Sequence, residues 1–179
     1  MFATTSQKFS RRLAVVLAVC FVFVGAAFAS TASWWHGQSQ NQRNSAILTR
    51  GSSDNNHNVG MVCKDWVRRV VQDASQNVVT IPSTRSNDYQ WNNSQNVYAY
   101  AQPFYMSWVQ PGQIIQMRWR NQGDSEVYPH TAIVRSKTSS SMTWIDCNWS
   151  GDGVVRTHTV TFSQFNACVG SNFTVYEIR

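Results

Sequence analysis

The chain has 179 residues, of which 42% are hydrophobic and 13% charged, and a formal net charge of +6. Setting aside the first 29 residues removes Lys8, Arg11 and Arg12 and no acid, which takes the net charge to +3. With no Lys/Arg cluster beyond Arg68-Arg69 and Arg118/Arg120, that is no nucleic-acid footprint, though it suits work near an anionic surface.

Residues 1–29 read as a secretory signal peptide. Lys8, Arg11 and Arg12 form the basic region, Leu13 to Phe28 the apolar run, and Ala27-Phe28-Ala29 the cleavage pattern. The alternative is an uncleaved membrane anchor, since the run nears the ~17 residues a spanning helix needs. A lipoprotein reading through Cys20 is weaker, because apolar sequence continues past it. Residues 30–59 are poor in apolar side chains and rich in Ser, Asn, Gln and Gly, which predicts a flexible polar linker. Trp34 and Trp35 are exceptions that could dock on the domain. Residues 60–179 remain as one domain of usual single-core size, with no internal repeat.

That domain opens on Gly60-Met61-Val62-Cys63-Lys64-Asp65-Trp66-Val67, with apolar residues at 62, 66, 67, 70 and 71. The spacing is helical and predicts a helix to about Ala74, with Cys63 in its first turn. The positive end of a helix dipole favours a thiolate there, and backbone amides at that end can bind an oxyanion. The bland reading is a small buried hydrophobe, which most cysteines are.

Beyond it, Asn77 to Ile81 suggests a short extended piece ended by Pro82, and residues 83–96 a polar loop. Tyr98 to Trp108 is aromatic-rich without a clear structure, and Ile114 to Trp119 reads as a strand. Tyr128 to Trp149 reads as a hairpin, with arms 130–134 and 142–146 and a serine-rich turn between them. With the turn centred near Thr138-Ser139, His130 falls across from about position 147. Asp146 and Asn148 share one strand face and Cys147 has the other. A histidine is thereby brought beside an acid and an amide, the arrangement that orients an imidazole, although a lone strand-end histidine is usually only half-buried. Strands over 154–161 and 173–178 follow, with a short turn at Ser163-Gln164-Phe165 that could be helical. The fold class is α+β, an antiparallel sheet with a helix packed on one side.

Three other signals are weighed. Asp146-Cys147-Asn148-Trp149-Ser150-Gly151 matches the first half of a calcium loop, but its twelfth position is Thr157, not Glu, so no metal is expected. His158 is a rival base on the strand after the Ser150–Gly153 turn, able to face the same side as Asp146. The sequons at Asn92, Asn148 and Asn172 read as accidental. Outside the N-terminal segment the chain has three cysteines, Cys63, Cys147 and Cys168, an odd number for an exported protein. If two pair, Cys147 and Cys168 are the choice, leaving Cys63 free; the alternative is three buried thiols.

Taken together, G-x-x-C-x-x-W-V at a helix start, Pro111-Gly112-Gln113-Ile114-Ile115, His130-Thr131-Ala132-Ile133-Val134 and Ile145-Asp146-Cys147-Asn148-Trp149 resemble the CHAP branch of the NlpC/P60 superfamily. These are papain-like cysteine hydrolases of peptidoglycan. The resemblance runs from Gly60 to about Val160; each motif is loose, and their order is what is specific. It implies a papain-like domain whose N-terminal catalytic helix packs on the sheet. It implies Cys63 as nucleophile, His130 as general base, and Asp146 or Asn148 as the group orienting the imidazole, with no cofactor. Trp149 and Tyr128, with Trp91 or Trp108 as lesser candidates, would line a cleft for sugar or peptide. Asp146 stands where the family more often has Glu, and Gln113 where it has Asp. The implied protein is a secreted, periplasmic or cell-wall-associated monomer with peptidoglycan as partner, no nucleic acid and no stable membrane insertion. Two other classes stay open, a non-catalytic wall-binding module on the same fold and a cysteine acyltransferase.

Overall fold

The structure, a computed structural model, describes residues 31–81, 91, 96–100 and 106–179. The signal-peptide expectation, Cys20 and Asn92 lie outside them. The chain divides into two compact units, Met1–Gly37 and Gln38–Arg179. In the first, residues 31–37 are helical, and the Trp34 and Trp35 rings lie 6.1 Å apart. The second unit carries every described strand.

Its elements are α1 (Gln40–Ser53), α2 (Cys63–Ala74), β1 (Val97–Ala99), a 3-10 turn (Met106–Trp108), β2 (Ile114–Trp119), β3 (Tyr128–Lys137), β4 (Ser141–Cys147), β5 (Val155–Thr161), α3 (Phe162–Val169) and β6 (Phe173–Ile178). The strands form one six-stranded antiparallel sheet in the order β1-β6-β2-β3-β4-β5. The fold is α+β.

Alternation along the strands splits the core in two. Ile115, Met117, Ala132, Val134 and Trp144 pack with Phe165, Cys168 and Val169 of α3. On the opposite face lies Ile133, and Gly51 of α1 abuts both Ile133 and Trp66 of α2. α2 buries Trp66, Val67, Val70 and Val71 there, a strongly amphipathic face. The expectation of a helix on one side is therefore extended: α3 covers the second face, and Cys168 sits within it rather than in a loop.

The linker expectation for 30–59 is corrected. α1 is a 14-residue helix started by a capping box, in which Ser39 and Gln42 satisfy each other's backbone amides. Gln40 donates to the Ile178 carbonyl at 3.0 Å, and the Gly112 Cα, at φ +82°, packs against the Asn44 backbone. Residues 56–59 then pair with the start of β5, through Asn56 N–H to Val155 O and Val59 N–H to Gly153 O. α1 is polar because one narrow stripe, Asn44, Ile47 and Gly51, is all that the helix buries. The extended piece at 77–81 is also absent: Gln76 and Asn77 take positive φ in a turn, and no strand forms there.

Candidate active site

β3 and β4 register as Ala132↔Asp146, Ile133↔Ile145 and Val134↔Trp144, with a bulge between Val134 and Ser136. Extended by two residues, that register sets His130 across from position 148, not 147. Asp146 is then the diagonal neighbour of His130 on the same face, within side-chain reach. His130 Nε2 lies 3.3 Å from Asp146 Oδ2, an ion-pair contact without hydrogen-bond alignment. Asp146 is wholly buried, and Trp144 Nε1 donates to its Oδ2 at 2.6 Å.

Cys63 is the first residue of α2, buried, behind an N-cap, Val62, that makes no side-chain capping bond. Its side chain acts on the His130 imidazole and helps to raise that group's pKa. Burial of His130 works to lower its pKa, but Asp146 and Cys63 together outweigh that and push it up from 6.5 to about 9. At neutral pH the imidazole therefore keeps its proton, with the Asp146 side chain and the Cys63 sulfur as its neighbours.

Asn148 is not part of this group. It sits at φ 65° and its Oδ1 accepts from Gly153 N–H at 2.7 Å, so the amide closes the Ser150–Gly153 turn. The ambiguity over what faces His130 resolves in favour of Asp146. Trp149 is half-buried, its ring edge-on to His130 with centroids 4.8 Å apart. Tyr128 is exposed, its hydroxyl bonded to Asp124 and Glu126. Trp119, Asn121, Tyr128, His130 and Trp149 line one pocket, open to solvent, of about 450 Å³. Trp119 and Asn121 went unnoticed in the sequence; the signal was the β2–β3 register, which pairs Trp119 with Tyr128. Trp91 is buried against Tyr176, 5.4 Å between centroids, and Trp108 is exposed away from that pocket, so neither lines it.

The disulfide expectation fails. Cys63, Cys147 and Cys168 are all free. Cys147 alternates with Asp146 and so faces the side opposite the α3 core that holds Cys168, which puts the sheet between the two thiols. Among the described residues no group of three or more His, Cys, Asp or Glu could hold a metal.

No family model and no curated protein matches the chain. Among solved structures it is similar to Ly7917, at 15% identity and TM-score 0.48, covering 77% of this chain and 62% of that one. It is also similar to Ly7917 with the hydrolyzing product of MDP, at 14% identity and TM-score 0.49, covering 78% and 63%. The chain thus spans less than two thirds of the structures it matches, and a likeness this partial assigns it neither fold family nor function.

Proposed function

We propose that this chain is an exported cysteine amidohydrolase with a papain-like centre, cutting an amide of peptidoglycan. The reading is carried by one observation: Cys63 opens α2 and acts on the His130 imidazole, and that imidazole faces the buried side chain of Asp146. The substrate class rests on the CHAP-like order of motifs in the sequence, and export on residues 1–29.

In this scheme the Cys63 thiolate attacks a stem-peptide, cross-bridge or glycan–peptide carbonyl, with amides of the α2 start facing the oxyanion. The His130 imidazolium gives its proton to the leaving amine, and the neutral ring then takes a proton from water as hydroxide clears the thioester. Asp146 holds the ring and stabilises its charge. The Trp119/Trp149 pocket beside His130 receives sugar or peptide. The test is digestion of purified peptidoglycan, read by mass spectrometry, with Cys63→Ala as control. Fragments that gain water and vanish with the variant support the reading, and their masses name the bond. No release by folded, reduced protein on several wall types contradicts it.

A further inference from the structure

Asp146 has a second imidazole beside it. His158, on β5, stands across from Trp144 and on the same face as Asp146. Its Nε2 lies 3.6 Å from Asp146 Oδ1. Both atoms are buried and neither has a hydrogen-bond partner, although Oδ2 of the same carboxylate is taken by Trp144 and faces His130. An orphaned donor facing an orphaned carboxylate oxygen is costly for each and cured by a small approach. Trp149 ties the two histidines together, its ring edge-on to His130 and tilted by 34° over His158 with centroids 5.0 Å apart. The titratable and charged groups around this pair are Asp146 on β4, His130 on β3, Cys63 at the α2 start, and Arg156 on β5, which Asp152 holds at 2.7 Å.

We propose that His158 is a positioning residue, donating from Nε2 to Asp146 Oδ1 and so fixing the carboxylate with Oδ2 turned to His130. It meets the pocket only through the ring of Trp149, and the polar atom facing its Nε2 is Asp146 Oδ1, so the action of its N–H passes through Asp146. The inference rests on the proposed Cys63–His130–Asp146 centre but not on any substrate. Without the donor, the carboxylate is free to turn, His130 loses part of its stabilised charge, and less of Cys63 is thiolate.

Two substitutions separate donor from ring. His158→Phe keeps an aromatic ring against Trp149 and has no donor; His158→Gln lacks the ring and places an amide N–H near the old Nε2. The readout is the rate of Cys63 alkylation by iodoacetamide at pH 7 on the full chain, with Cys63→Ser for background and thermal unfolding to confirm the fold. The Phe variant should lose about tenfold in rate, the scale of one hydrogen bond to a charged group, and the Gln variant should recover most of it. The pKa of His130, followed by NMR, should drop with the rate. An unchanged rate in the folded Phe variant would overturn the inference, as would an equal loss in both variants. A wild-type Cys63 no faster than an ordinary thiol would remove the centre itself, a separate failure.

Discussion

Cys63 and Cys147 are both buried and near enough that the charge of one bears on the other, yet the fold makes opposite things of them. Cys147 ends β4 on the apolar face. Burial, the largest influence, pushes its pKa up to about 11, and its thiol donates to the Met61 carbonyl at 3.0 Å. It fastens the stretch that leads into α2. Cys63, two residues beyond Met61, stands at the positive end of a helix beside a charged imidazole. In the proposed centre, residue type and burial do not separate a reactive thiol from an inert one; the neighbouring charges do.

Changes that remove those charges test the contrast most strongly. Asp146→Asn keeps an acceptor for Trp144 and removes the charge behind His130. Hydrolysis should fall by about 10²–10⁴-fold, measured as kcat/KM, with little change in folded content by circular dichroism. Next comes pH. His130 has a folded pKa above its ordinary 6.5, so its stabilising contribution is complete below pH 6.5 and is lost as pH rises through about 9. Both kcat/KM, which needs the imidazolium, and denaturant stability should decline over that window.

Smaller effects concern the scaffold. Gly112→Ala would put a Cβ 2.1 Å from the Asn44 carbonyl oxygen at φ +82°, and should cost at least about 2 kcal/mol by urea unfolding, loosening α1 from the sheet. An unchanged midpoint would argue against the docked α1. Cys147→Ala should cost only about 1 kcal/mol and leave hydrolysis unaltered. A large loss of rate in that variant would mean the two cysteines differ less than described.

Much of the scaffold was legible because its signals are periodic. α2, β2 and β6 fall where spacing put them, since each buries a continuous apolar face. α1 was missed for the converse reason: its buried stripe is three residues wide, two of them Asn and Gly. Ser39-x-x-Gln42 was the readable sign of its start. The His130 register was off by one because the turn is centred between Ser139 and Ser140, one residue later than expected, and the bulge after Val134 cancels half of the resulting two-residue shift. Asn148 looked like a site residue by motif and is a turn residue by backbone angle, a distinction that needs φ. Counting cysteines suggested a bridge that the sheet keeps apart.

The most direct test treats the chain with one equivalent of iodoacetamide at pH 7, maps the label by peptide mass spectrometry, and assays the same sample on peptidoglycan. The account predicts label on Cys63, with Cys147 and Cys168 spared, and hydrolysis lost in proportion to labelling. Label spread evenly over the three thiols, or full hydrolysis by protein alkylated at Cys63, would contradict it.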